Sequence, residues 1–151
     1  DIRSAVPSIT LRSTFIVGYP NETQADFDEL CDFVSTVQLD RLGVFTYSQE
    51  DDTYAHILGD PISAEEKEAR KKHIMSLQKD ISYQKNLDKI GTRVKVLVEE
   101  EVNGEYQGRT EADAPEVDNE IFIRSARPLT LGEFVEVEIE DASEFDLFAS
   151  L

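Results

Sequence analysis

The hydrophobic periodicity of the chain changes at Gly91. Before this residue, apolar side chains recur at the spacing of an amphipathic helix, whereas valines alternate with polar residues in Val94–Val98. A period of about 3.6 residues indicates a helix with one buried face, and a period of two indicates a half-buried strand. The sequence therefore predicts an α/β part, residues 1–90, followed by an all-β part, residues 91–151.

The first part begins with a strand, a helix and a second strand. Leu11–Val17 is a nearly continuous apolar and β-branched run that ends at Gly18, which is typical of a buried parallel strand, and we expect a second buried strand at Leu42–Tyr47. Between them, Thr23 and Asp26 have the spacing of a capping box. The helix that follows has one apolar stripe, formed by Phe27, Leu30, Cys31 and Val34. This order predicts a βαβ unit.

We expect the chain to be one piece of a longer cytoplasmic protein. A single βαβ unit cannot cover both faces of its sheet, so further strands are expected from elsewhere. The first residue is Asp1 rather than methionine. No run approaches the roughly 20 apolar residues of a membrane span, and no secretory leader is visible. Cys31 is the single cysteine, which excludes a disulfide framework and agrees with a reducing compartment.

A long helix is predicted between a polar loop and Gly91. The loop is expected to cover Gln49–Pro61, and Ser63 with Glu66 forms a second capping box, after which the helix runs to about Lys89. Its inner face is expected to carry Ile74, Leu77 and Ile81. Four basic residues are expected in solvent: Lys67, Arg70, Lys71 and Lys72.

The second part has five short segments of strand character: Val94–Val98, Tyr106–Thr110, Ile121–Ile123, Phe134–Ile139 and Phe145–Leu151. Asn103 and Gly104 lie between the first two and indicate a tight hairpin. Five short strands in a segment of this size predict a small closed or partly open barrel of the OB type.

The net charge of the chain restricts its partners. It is −17 overall, and residues 91–151 contribute 5 − 16 = −11. Because like charges repel, nucleic acid is a poor partner unless a local basic face overrides the total, and basic proteins are better partners. The alternative is that the charge serves only to keep the protein in solution.

The carboxyl ends of the two predicted parallel strands are the best candidate for a ligand site. Ligands of parallel α/β sheets bind at such strand ends, and Gly18 and Tyr47 stand there. The alternative is a purely structural turn. Other candidates are weak: Cys31 is expected in the core, His56 and His73 have no matching catalytic set, and no spacing of acids resembles an EF-hand.

The strand-end turn reads Gly-Tyr-Pro-Asn-Glu-Thr over residues 18–23 and continues with Asp26-Phe27. Tyr47-Ser48 then ends the second strand, and Thr53 and Ala55 follow in the loop. This sequence resembles the final barrel strands of radical S-adenosylmethionine (SAM) methylthiotransferases. Three residues depart from the family pattern: Asn21 replaces a glycine, while Asp52 and Tyr54 replace a glycine and a proline.

The resemblance implies the last strands and helices of a radical SAM (βα) barrel over residues 1–90, and a small OB-like TRAM β-barrel over residues 91–151. It implies SAM and two 4Fe–4S clusters as cofactors of the parent enzyme, with a SAM pocket wall that includes Ile16, Gly18 and Tyr47. One cysteine cannot hold a cluster, so we expect neither catalytic residues nor metal ligands here, and a fragment inactive alone.

Two further segments indicate a branch of that family. Gly108-Arg109-Thr110 matches TRAM domains, and Asp113–Asp118 together with Glu50 resembles the RimO branch, which methylthiolates the β-carbon of an aspartate in ribosomal protein S-twelve. The docking residues that this implies are Glu50, Arg109, Asp113, Glu116 and Asp118. We expect Arg109 to pair with a neighbouring carboxylate rather than with phosphate.

The expected partner is therefore ribosomal protein S-twelve on the small ribosomal subunit, with no membrane and no direct nucleic-acid binding by the barrel. Two alternatives stay open: a tRNA adenosine methylthiotransferase of the MiaB type, and a TRAM binding module without catalysis.

Overall fold

The computed structural model describes residues 2–115 and 118–151 and divides into two compact units, one reaching to Ile81 and the other beginning at Ser82. The elements before Gly91 are α1 (Ile2–Ala5), β1 (Arg12–Val17), α2 (Gln24–Val37), β2 (Arg41–Thr46), α3 (Tyr54–Leu58) and α4 (Ala64–Leu87). The elements after it are β3 (Arg93–Val102), β4 (Glu105–Arg109), β5 (Ile121–Arg124), β6 (Phe134–Ala142) and β7 (Leu147–Ser150).

The βαβ unit is confirmed. β1 and β2 pair in parallel, from Arg12 opposite Arg41 to Val17 opposite Thr46. Thr23 caps α2 with both bonds of a capping box, because its hydroxyl accepts from the Asp26 N–H and its own N–H donates to the Asp26 carboxylate. The core of this unit consists of Val17, Phe27, Val34, Val44 and Ile74.

The prediction that β1 and β2 are both buried strands was wrong for one face of the pair. Phe45 is 61% exposed, and its register partner Ile16 on β1 is 59% exposed. Successive side chains of a strand point to opposite faces, so Val17 and Val44 reach the core while Ile16 and Phe45 occupy the other face. Among the described residues, that second face has no covering layer.

The polar segment Gln49–Pro61 is not entirely a loop, because it contains the short helix α3. Thr53 caps α3 by accepting from the His56 N–H. A helix of five residues is too short to show a hydrophobic periodicity, so the N-cap residue Thr53 was the one sequence signal for α3.

The long helix is confirmed as α4. The Ser63 hydroxyl accepts from the Glu66 N–H at 3.2 Å, and beyond the last turn Gly91 has a φ of 79°. Ile74 is fully buried, and Leu77 and Ile81 pack against the same core. No helix in the described ranges is long and apolar enough to cross a membrane.

The five-stranded barrel is confirmed and is closed, with the strand order β3-β4-β5-β7-β6. β5 and β7 are parallel, whereas the other neighbours are antiparallel. The predicted hairpin joins β3 to β4, where Asn103 and Gly104 both have positive φ, as a type I′ turn requires. The interior is filled by side chains that alternate along the strands: Val96, Val98, Tyr106, Ile121, Ile123, Val135, Val137, Ile139, Leu147 and Ala149.

Gly108 allows β3 and β4 to approach closely. A Cβ at this position would overlap the Leu97 carbonyl oxygen and would lie 2.8 Å from Val96 Cγ1. We predict that Gly108→Ala lowers the free energy of unfolding of the barrel by about 3 kcal/mol, because backbone atoms cannot yield as a flexible side chain does. Urea unfolding, followed through amide NMR signals of each unit, measures the effect.

The control is Gly43→Ala in β2, where an added Cβ would lie 3.5 Å from the Thr14 hydroxyl oxygen, an ordinary contact. That change should alter the stability of its unit by less than about 1 kcal/mol. Equal effects of the two substitutions would show that Gly108 is not sterically required.

Candidate functional site

Gly18 lies at the carboxyl end of β1 with a φ of 79°, a conformation that favours glycine. Its N–H donates to Glu22 Oε2 at 3.0 Å, which closes the turn after the strand. The aliphatic part of Lys67, from α4, lies directly against Gly18, so that a Cβ there would overlap Lys67 Cγ. Backbone conformation and contact with Lys67 both require glycine at this strand end.

Lys67 is buried, contrary to the prediction that it is solvated. Its Nζ lies 2.5 Å from Asp60 Oδ1, donates to the Tyr47 carbonyl oxygen at 3.1 Å and stands 5.2 Å from the centroid of the Tyr47 ring. A buried ammonium is tolerated when it is paired and hydrogen-bonded in this way. Lys67 therefore fastens α4 to the end of β2.

Arg70 is also buried rather than solvated. Its guanidinium pairs with Glu22 Oε1 and with Glu66 Oε1, and it lies over the Phe27 ring at 5.4 Å. Burial alone would lower the pKa of Arg70, but hydrogen bonds to Glu22 and Glu66 outweigh it and raise this pKa above its ordinary value. Glu22 thus connects the Gly18 amide to a permanently charged residue of α4.

The sequence contained a signal for this cluster. Lys67 and Arg70 are three residues apart, and Ile74 follows four residues later. These three positions lie on one helical face, so the inner stripe of α4 continues into the two basic residues. Their charge favoured a position in solvent, whereas their spacing predicted that both side chains lie on the buried face of α4. Of the other two predicted basic residues, Lys72 is exposed and Lys71 is partly exposed.

Tyr47 follows β2 and keeps its register with β1, because its N–H donates to the Val17 carbonyl oxygen at 2.8 Å. Its ring meets Tyr19 edge to face at 5.6 Å. The hydroxyl is buried and has no hydrogen-bond partner among the described residues. Burial, with smaller effects of Asp60, Tyr19 and Glu50, raises the pKa of Tyr47. The residue that follows β2 therefore carries one unsatisfied hydroxyl.

The three residues predicted to line the SAM pocket stand at one edge of the unit. Parallel pairing brings the ends of β1 and β2 together, so Ile16, Gly18 and Tyr47 belong to the same carboxyl edge. Ile16 lies on the exposed face of the sheet, whereas Gly18 and Tyr47 both contact Lys67. Their role toward SAM stays a prediction.

Two of the departures from the family pattern can be explained. Asp52 has a φ of 60°, so an aspartate adopts the left-handed conformation at the position where the family has glycine. Asp and Asn are the side chains that best tolerate this conformation. Asn21 does not have a positive φ, so its turn needs no such tolerance.

The predicted docking residues fall into two groups. Glu50 is exposed and accepts from the Ser48 hydroxyl at 3.1 Å. In the barrel, Arg109 pairs with Glu99 at 2.8 Å, which confirms the expected carboxylate partner, and its guanidinium donates to the Asp113 carbonyl oxygen. Asp118 accepts from the Ala114 N–H at 2.6 Å. Glu116 lies outside the described residues.

Asp113 is buried, and its carboxylate accepts from the Thr110 hydroxyl at 2.6 Å. Since this bond closes the turn after β4, Asp113 shapes the segment that carries the other predicted docking residues. Because Asp113 is buried, it is less able to contact a partner directly than the exposed Glu50 is.

No group of three or more His, Cys, Asp or Glu side chains converges as a metal site in residues 2–115 and 118–151. Cys31 is half-buried on α2, and burial raises the pKa of its thiol, with Asp28 and Asp32 adding to the effect. A single thiol cannot hold an iron–sulfur cluster, which takes several Cys ligands. His73 is exposed on α4 near the Phe27 ring.

Residues 90–151 match the TRAM domain family. The chain is 48% identical over 151 residues to the ribosomal protein uS12 methylthiotransferase RimO of Cytophaga hutchinsonii, an alignment that covers 99% of this chain and 35% of that protein. Proteins of the same name from Chloroherpeton thalassium and Clostridioides difficile are 48% and 46% identical, again over 99% of this chain and 36% and 34% of their own length. The chain thus spans about a third of the length of the curated relatives it matches.

We predict that Glu22→Gln lowers the free energy of unfolding of its unit by about 3 kcal/mol, because Arg70 would keep its charge in a buried place after losing one carboxylate. The control is Glu99→Gln, which weakens the more exposed pair with Arg109 and should cost less than about 1 kcal/mol. Urea titrations read from amide NMR signals of each unit compare the two. Equal small losses would mean that the Arg70 pair is effectively solvated.

A second prediction concerns the Tyr47 hydroxyl. We expect its pKa to lie above the ordinary tyrosine value of about 10, and Asp60→Asn to lower it partway, because burial remains after the negative charge is removed. Because the folded form holds this proton more tightly, stability should fall as the pH rises from that ordinary value to the pKa of the folded state. An NMR titration of the five tyrosine rings measures both effects. A Tyr47 that titrates like an exposed tyrosine would contradict the burial of its hydroxyl.

Proposed function

The chain belongs to the RimO family of methylthiotransferases, and on that premise we propose that it forms part of an enzyme that methylthiolates the β-carbon of an aspartate in ribosomal protein uS12. The observation that carries the proposal is the identity of 48% to such a protein across nearly the whole of this chain. The share of this chain is to form part of the SAM pocket wall and to dock the substrate protein.

The pocket wall is the carboxyl edge of β1 and β2. SAM and two 4Fe–4S clusters, when bound, supply the radical and the sulfur of this reaction class, and the protein supplies orientation. Here Gly18 lets a ligand approach the backbone, Ile16 offers an exposed apolar surface, and the Tyr47 hydroxyl offers an unused hydrogen-bonding group. The chain has one cysteine, which does not fit a cluster, so the ligands must come from elsewhere and the fragment alone should be inactive.

Lys67 and Arg70 of α4 hold the residues of this wall in place. They fix the backbone at Gly18 and Tyr47 through one carbonyl oxygen and one glutamate. A binding surface held by such contacts loses less conformational freedom when its ligand arrives.

Docking is assigned to acidic groups. Residues 91–151 carry a formal charge of −11, which disfavours RNA and favours a ribosomal protein rich in lysine and arginine. Glu50, Glu116 and Asp118 are the proposed contact residues, while Arg109 and Asp113 hold the turn after β4. The place of action is the cytoplasm, where the small ribosomal subunit is found.

The association rate with uS12 tests this proposal. We expect Glu50→Gln with Glu116→Gln to slow association several-fold at low salt, and the difference to shrink as salt screens the charges. The control is Glu65→Gln with Asp80→Asn on α4, which removes the same charge at two exposed positions that are not proposed as contacts.

Surface plasmon resonance with immobilised uS12, and separately with tRNA, at two salt concentrations gives both comparisons. Tighter binding to tRNA than to uS12 would favour the MiaB-type function, a tRNA adenosine methylthiotransferase, over the proposed one. Equal slowing by the two double variants would mean that net charge alone, rather than these residues, attracts the partner.

A further inference from the structure

The short helix α3 presents an apolar face to solvent. Tyr54 is 75% exposed and Ile57 is 78% exposed, the two highest values among the large hydrophobic residues of the described chain. They are three residues apart, so they share one side of the helix. Single exposed apolar residues are common, but two adjacent ones on a short helix form a surface suited to a partner.

The loop that carries this face is well fastened. The Thr53 hydroxyl donates to the Glu50 carbonyl oxygen at 2.9 Å and accepts from the His56 N–H. Gln49 donates from its side chain to the His56 carbonyl oxygen, and Asp60 pairs with the buried Lys67. Because both ends of the loop are tied to neighbouring residues, the face is held ready for binding at a low entropic cost.

The charge around the face identifies the class of partner. Residues 49–61 contain no lysine or arginine. Of their four acids, Asp60 already pairs with Lys67, so three are left to meet a partner: Glu50, Asp51 and Asp52. A second copy of this chain would bring the same acids and a net charge of −17, and nucleic acid would bring phosphates, so both are repelled. A basic polypeptide with an apolar side chain is complementary on both counts.

We propose that the apolar face of α3 docks a lysine- and arginine-rich loop of the protein substrate, with Tyr54 and Ile57 receiving one apolar side chain and the acids around them receiving its basic neighbours. This deepens the proposed function and rests on its assignment of a basic protein as the substrate. The position agrees, since the loop leaves β2 directly after Tyr47, at the edge where ligands of parallel sheets bind. Tyrosine is a common anchor of protein interfaces.

The test uses the 151-residue chain and two synthetic peptides. One peptide alternates lysine and glycine around a single central leucine, and the other has serine in place of the leucine. Tyr54→Ser with Ile57→Ser should weaken binding of the leucine peptide about tenfold and leave the weaker serine peptide nearly unchanged. Tyr54→Phe with Ile57→Leu should restore binding, which separates loss of the apolar face from damage to the helix.

The control is Val102→Ser with Leu131→Ser, two exposed apolar residues of the barrel unit, which should leave both affinities unchanged. Equal affinity of the chain for the two peptides, or the same loss in the control variant, would overturn the proposal. A wild-type dimer that becomes monomeric in the serine variant would also overturn it, because the face would then be a self-interface.

A parallel measurement with uS12 separates this inference from the proposed function. Binding of uS12 that is weakened about tenfold by the α3 variant supports both. Binding of uS12 that the α3 variant leaves unchanged overturns the inference and leaves the proposed function standing. Selective binding of the leucine peptide without binding of uS12 supports the α3 site and contradicts the identity of the substrate.

Discussion

Two buried cations of α4 hold the carboxyl ends of the parallel strands. Arg70 reaches the amide of Gly18 through Glu22, and Lys67 bonds the carbonyl oxygen of Tyr47 while its stem fills the space that glycine leaves open. Burying charges is costly, so this arrangement is poor evidence for added stability. It does define one geometry for the strand ends, and every role assigned to Gly18 and Tyr47 depends on that geometry.

In the barrel, the side chains that determine the fold lie inside, and the charged side chains available to a partner lie outside. Its interior is closed by β-branched and aliphatic side chains on five strands, with Gly108 allowing two of them to approach closely. Its exterior carries the excess of acidic residues, such as Glu136, Glu138 and Glu140 along β6. Because the interior determines the fold, the outer charge can suit a basic protein without disturbing the barrel.

Much of the fold could be predicted because its signals are local. The capping box at Thr23 and the Asn103-Gly104 hairpin each depend on a few neighbouring residues, and the structure contains both. The change of hydrophobic period at Gly91 likewise predicted that α4 ends and β3 begins there.

What could not be predicted depends on tertiary contacts. The sequence does not tell which face of β2 is covered, so Phe45 was wrongly expected inside. Lys67 and Arg70 continue the inner stripe of α4, but only their partners Asp60 and Glu22 explain why charges can occupy it. Asp113 was expected to contact a partner, but its carboxylate accepts a hydrogen bond from the Thr110 hydroxyl and closes a turn. No sequence pattern predicted this hydrogen bond. The strand ends could thus be identified from the sequence as a candidate site, whose ligand stays a prediction, while the residues of α4 that hold them were missed.

Mass spectrometry of cells that lack the gene encoding this chain would show whether it serves an enzyme acting on ribosomal protein uS12. We expect the aspartate of uS12 to lose its methylthio group, whereas the methylthiolated adenosines of tRNA remain at their normal level. Unchanged modification of uS12, together with loss of methylthiolated adenosine from tRNA, would contradict this expectation.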